Sequence, residues 1–186
     1  MIPNNRTFKG REICEEDGKT YYRCYKIEKQ GKFQLKLCVK EIHSPYRQAI
    51  AFGLSTEPKF QGTILINGQP FKPEKGKRLN YVMPVELPDK AKIVMELDIK
   101  EGHVRLANAS DFLDDYPQLI EQVSKQTGRT REEFRGITYT SGFTAANLYG
   151  NAFWVETLSE NLLRFHCNDH KMDDDFDDMI FDVEFN

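Results

Sequence analysis

Alternation with a period of two dominates this chain. Phe33, Leu35, Leu37 and Val39 interleave with Gln34, Lys36, Cys38 and Lys40, and Ile93, Met95, Leu97 and Ile99 interleave with Lys92, Val94, Glu96, Asp98 and Lys100. Successive side chains of a strand point to opposite faces, so this pattern predicts antiparallel strands with one face buried. Further strands are predicted at Tyr21 to Ile27, Ala49 to Leu54, Thr63 to Ile66, Tyr81 to Leu87 and His103 to Leu106, and later at Ile137 to Thr140, Ala152 to Glu156, Leu162 to Cys167 and Met179 to Phe185. Pro84 has no N–H to give to a ladder, which predicts an edge strand or a bulge for its run.

Turn signals stand where these runs stop. Asp17-Gly18, Gln30-Gly31, Asn67-Gly68 and Glu101-Gly102 each separate two candidate strands, and Asn-Gly or Asp-Gly supplies the positive φ of a tight hairpin. The period changes once. Phe112, Leu113, Tyr116, Leu119, Ile120 and Val123 have helical spacing, with Ser110 or Asp111 as N-cap and Gly128 as a stop. Pro117 implies a helix beginning near it or a kink there, and Thr130 with Glu133 forms a capping box for a second short helix. The resulting expectation is an all-β antiparallel sandwich of jelly-roll type. It has about nine to eleven strands in one domain spanning residues 1–186, with a helical insertion at about 110–135. Two domains split near Ser110 is the alternative.

Composition narrows the function classes. With 186 residues, 39% hydrophobic and 30% charged, the chain can build a core without a staple. A net charge of −3 provides no global field to recruit nucleic acid or an anionic membrane. No run approaches the length of a membrane-spanning helix, and Met1 to Arg6 lacks the apolar stretch of a signal peptide. Cys14, Cys24, Cys38 and Cys167 include no C-x-x-C pair, so free, partly buried thiols and a cytoplasmic location are expected.

The most unusual local feature is the segment from Asn168 to Asp178, in which seven of eleven side chains are carboxylates or an amide. Crowded carboxylates raise one another's pKa, and a hard cation taking six to eight oxygens relieves the repulsion. Asp173, Asp175, Asp177 and Asp178 are the first candidate ligands for calcium, with Asn168 and Asp169 as the opposite wall. Asp173, Asp175 and Asp177 keep the one-three-five register of a calcium loop. However, the sixth place is Asp178 rather than glycine and a strand follows, so the loop is not an EF-hand. A solvated acidic turn anchored by Phe176 and Met179 is the competing reading. His166 and His170 are four apart, but the first lies in a predicted strand, so the helical zinc spacing does not apply.

Asp175-Phe176-Asp177-Asp178-Met179-Ile180 resembles the aspartate-rich ending of some bacterial β-sandwich domains thought to hold calcium, which implies a bound Ca2+ in this loop. Ile64-Leu65-Ile66-Asn67-Gly68-Gln69-Pro70-Phe71 resembles a hairpin of galactose-binding-like jelly rolls, including modules attached to glycoside hydrolases, and this implies carbohydrate as the ligand. Independently, Trp154, Tyr149 and Tyr139 offer flat rings that can stack on a sugar or anchor a protein. Ser141-Gly142-Phe143 offers no nucleophile elbow, and no G-x-S-x-G, G-x-G-x-x-G or P-loop is present. The expected function is a non-catalytic ligand-binding module stabilised by calcium. A cytoplasmic protein–protein interaction or structural protein is the alternative, and a hydrolase-like enzyme the third.

Overall fold

The computed structural model describes residues 13–46, 48–54, 63–71, 80–84, 91–110, 121, 125, 128, 152–169 and 175–186. Thirteen strands lie among them, all paired antiparallel. In chain order they are β1 (Ile13–Glu16), β2 (Lys19–Tyr22), β3 (Tyr25–Ile27), β4 (Gly31–Ile42), β5 (Gln48–Leu54), β6 (Ile64–Ile66) and β7 (Gln69–Phe71), then β8 (Asn80–Pro84), β9 (Lys92–Ile99), β10 (Val104–Ser110), β11 (Ala152–Ser159), β12 (Leu162–Asn168) and β13 (Met179–Phe185). Nine form one sheet in the order β1-β2-β11-β12-β13-β4-β9-β6-β7, and four form a second in the order β3-β10-β5-β8.

The alternation in β4 and β9 places Phe33, Leu35, Leu37, Val39, Ile93, Met95, Leu97 and Ile99 in one buried cluster. Ile50, Val104 and Leu106 of the smaller sheet join it, as do Phe153, Phe165, Phe181 and Val183 of β11 to β13. Full burial of a large apolar side chain contributes roughly 1.5–3 kcal/mol, so this shared cluster is the main attraction holding the two sheets together. In β4 the inward parity shifts from Val39 to Ile42, because the register with β13 slips between Ile180 and Phe181 and leaves Lys40 as a bulge residue.

Asp17-Gly18 and Asn67-Gly68 make two-residue hairpins, with positive φ at both positions of each turn (50° and 76°, 48° and 78°). Gln30-Gly31 and Glu101-Gly102 do not. Each carries the chain from one sheet to the other, from β3 to β4 and from β9 to β10, and Gln30 Nε2 donates to Gly102 O at 2.6 Å, so the two crossovers brace each other. The run from Tyr21 to Ile27 also departs from expectation. It breaks at Arg23 and Cys24 into β2 and β3, which belong to different sheets. The strand count exceeds the expected nine to eleven because β1 and β7, short and weakly patterned, pair as hairpin partners. Pro84 ends β8, an edge strand, as its missing N–H requires.

Ser110 is the last residue of β10, and the residues directly after it lie outside the described ones. Of the predicted insertion at 110–135, Glu121 and Lys125 are described in helical conformation with a 2.6 Å ion pair four residues apart, and Gly128 has φ 68°. Asp111, Pro117 and the rest of that insertion, the capping box at Thr130 and the predicted strand Ile137 to Thr140 lie outside the described residues. All four cysteines are free thiols, Cys24 and Cys167 buried and Cys14 and Cys38 half-buried. Burial pushes the Cys167 thiol well up, and the nearby Asp178 carboxylate adds to the shift.

Candidate functional site

The aspartate-rich segment connects β12 to β13, two antiparallel neighbours whose pairing ends at Cys167 and Met179. Its carboxylates divide into two environments. Asp175 and Asp177 are exposed, and the Asp177 N–H points to Asp175 Oδ1 at 3.5 Å. Asn168, Asp169 and Asp178 are buried. Asp173 lies outside the described residues. The five predicted ligands that are described thus occupy two environments: two face water and three are folded inward.

Between the two exposed aspartates stands Phe176. Its φ is 56°, a left-handed value that a bulky residue holds only when packing overrides the strain. The ring is buried against Tyr21, 5.1 Å between centroids, in a small cluster with Ala152, Cys14 and Trp154. This cluster covers the outer side of the nine-stranded sheet, because Tyr22 and Phe153, the chain neighbours of Tyr21 and Trp154, point into the main core. Phe176 thus pulls the loop over the outer sheet face while Met179 is buried in the core. Both anchor the loop, on opposite sides.

The inward group is tied to other segments. The Asp169 N–H donates to Asp178 Oδ2 at 2.7 Å, and Asp178 O accepts the His43 and Ser44 N–H groups at 3.0 and 3.2 Å. Ser44 Oγ donates to Asp169 Oδ2 at 2.5 Å and accepts the Tyr46 N–H at 3.0 Å. Asn108 Nδ2 of β10 donates to Asn168 O at 2.8 Å, and Gln48 Nε2 of β5 donates to Tyr46 O at 3.3 Å. Sequence reasoning missed Ser44, Gln48 and Asn108. The readable signal was parity: Gln48 stands two before inward Ile50, and Asn108 two after inward Leu106, so both amides occupy core-facing positions. Near the outer aspartates, the His43 ring is 3.0 Å from Glu41. That hydrogen bond, followed by the charges of Asp177 and Asp175, raises its pKa.

Trp154 stands on the outward face of β11 between two cross-strand neighbours. His166 of β12 stacks on it, centroids 3.9 Å apart and rings parallel, and Lys19 of β2 places Nζ 4.5 Å from its centroid. β2 and β12 flank β11 on opposite sides, so both faces of the half-buried indole are engaged. His166 Nε2 also lies 3.3 Å from Glu156. Tyr139 and Tyr149 lie outside the described residues, so the predicted aromatic trio is placed only at Trp154.

Farther along the same outward face, over β13, β4 and β9, is a concavity of about 350 Å³. Lys36, Lys40, Lys92, Asp182 and Glu184 give it polar walls, while Cys38, Val94 and Leu162 contribute an apolar floor. Its charges are held in place. Arg164 grips Asp182 through two bonds of 2.8 and 3.1 Å, and Lys40, positioned by its bulge, approaches Asp182 at 3.3 Å. Burial would raise the Asp182 pKa, but the Arg164 and Lys40 contacts outweigh it and the net shift is downward. Comparison with family models, with curated proteins and with solved structures returns no match for this chain.

Proposed function

We propose that this protein is a non-catalytic ligand-binding module of β-sandwich, jelly-roll type, with carbohydrate as its ligand. The observation that carries this reading is the concavity on the outward face of the nine-stranded sheet. Sugars offer hydroxyls that donate and accept, together with apolar C–H faces. A shallow site of ion-paired carboxylates and ammonium groups over an apolar floor suits both, and its polar groups are already oriented before binding. Trp154 lies on the same face, two strands from β13, where the edge of its indole could meet a longer glycan. Lys36 and Lys92 line the groove without taking part in the Arg164–Asp182–Lys40 network, so they can be altered with little effect on the fold.

A glycan array followed by calorimetry tests this. The expected outcome is binding of a restricted glycan set, weakened about tenfold or more by Lys36→Ala with Lys92→Ala, at an unchanged melting temperature. Loss of one or two charge-assisted hydrogen bonds is worth that much. An empty array together with a protein that co-purifies in fixed stoichiometry would replace this reading with that of an interaction protein. Turnover of a glycan would replace it with that of an enzyme.

A further inference from the structure

The inward side of the four-stranded sheet changes character at one end. Along β10, Val104 and Leu106 are followed in the same parity by Asn108 and Ser110, and on the paired β5, Ile50 is preceded by Gln48. Gln48 is 1% exposed and Asn108 3%, and the register makes them diagonal neighbours, close enough for long side chains to converge. Each carboxamide uses its nitrogen, Gln48 towards Tyr46 O and Asn108 towards Asn168 O. The carbonyl ends are different: Gln48 Oε1 and Asn108 Oδ1 are both buried and accept no hydrogen bond. Two adjacent buried acceptors without a donor need something positive or protic between them.

The segment they meet ends in a carboxylate. Asn108 bonds the carbonyl of the Asn168–Asp169 peptide, and fully buried Asp169 accepts Ser44 Oγ through Oδ2. We propose that Gln48 Oε1, Asn108 Oδ1 and a carboxylate oxygen of Asp169 hold a hard divalent cation at the inner end of the aspartate-rich loop, in a site separate from exposed Asp175 and Asp177. Amide and carboxylate oxygens select calcium or a similar hard ion over zinc. Among the described residues no three His, Cys, Asp or Glu side chains form a metal group, so the proposed donor set stands on the two buried amide oxygens beside the single Asp169 carboxylate. Calcium is favoured over magnesium, since it accepts irregular shells and sheds its water more readily. This site does not depend on the glycan groove, so each can fail alone.

The test is thermal unfolding of the full chain in saturating calcium and in chelator, with bound calcium counted after dialysis. A hundredfold excess over Kd should raise the wild-type melting temperature by roughly 5–11 °C, with one calcium per chain. Gln48→Met should abolish the increment, whereas Asp175→Asn with Asp177→Asn should retain it. Asn108→Asp keeps the oxygen and adds a charge, so it should bind calcium more tightly than wild type and be less stable in chelator. An unchanged wild-type melting temperature with no bound ion would mean that the two amide oxygens face water and would overturn the proposal. So would an increment that survives Gln48→Met but disappears with the Asp175 and Asp177 pair, or an Asn108→Asp protein that is indifferent to calcium.

Discussion

Asp182 shows how one side chain can set both stability and surface chemistry. It sits on β13 with its side chain 10% exposed, held by Arg164 from β12 and Lys40 from β4. The sign of its pH dependence follows from its lowered pKa. A folded-state pKa below the unfolded one gives stability that is fully present above the ordinary carboxylate value near 4 and lost as pH falls through the depressed value. Asp182→Asn should therefore cost roughly 1–2 kcal/mol at pH 7, discounted for the partial exposure of Arg164. Urea unfolding should show that gap constant from pH 7 to about 5 and closing below about 4. A gap that is the same at pH 3 would show that the charge of Asp182 contributes nothing.

At the scale of the element, the loop between β12 and β13 shows a strain that packing holds in place. Phe176→Ala removes the ring from its contact with Tyr21 yet leaves a left-handed residue with a Cβ, while Phe176→Gly removes the ring and the strain together. Glycine at an ordinary position is worse than alanine by about 0.5–1 kcal/mol. Here the order should reverse, with Phe176→Gly about 1 kcal/mol more stable than Phe176→Ala in chemical denaturation. The same loop shows what could be read in advance. Its position at the mouth of a hairpin followed from the alternation of Leu162 to Cys167 and of Met179 to Phe185, and the hairpins at Asp17-Gly18 and Asn67-Gly68 followed from the two positive φ values those residues permit. Gln30-Gly31 and Glu101-Gly102 carry a similar local signal but join different sheets, because a glycine specifies a bend and not the partner strand. The division of the aspartates was illegible for a related reason: their environment is set by Ser44, Gln48 and Asn108, up to 125 residues away in sequence. Nothing in a run of carboxylates names such neighbours.

The whole molecule is closed by strands distant in sequence. β2 pairs with β11, and β4 pairs with β13 on one side and β9 on the other, so the middle of the nine-stranded sheet contains both early and late strands. Such non-local pairing slows folding, since loop entropy is lost before the contacts form. This order matters most while the chain is being made. Strands emerge from the ribosome at about 5–20 residues per second, so β4 waits several seconds beside β9 with its other edge open until residue 185 appears. During that wait Leu35, Leu37 and Val39 lack the cover of Phe181 and Val183, and an open apolar edge is a template for pairing with another nascent chain. Nascent chains halted before β13 should be protease-sensitive and should bind a holdase chaperone, and both properties should vanish once β13 has cleared the exit tunnel. Protection arising already when β9 emerges would mean that the first half of the sheet stands alone. Otherwise the strand that completes the middle of the nine-stranded sheet is also the one whose delay exposes it, and slow translation of the aspartate-rich loop just before β13 would lengthen the most vulnerable interval in the folding of this sheet.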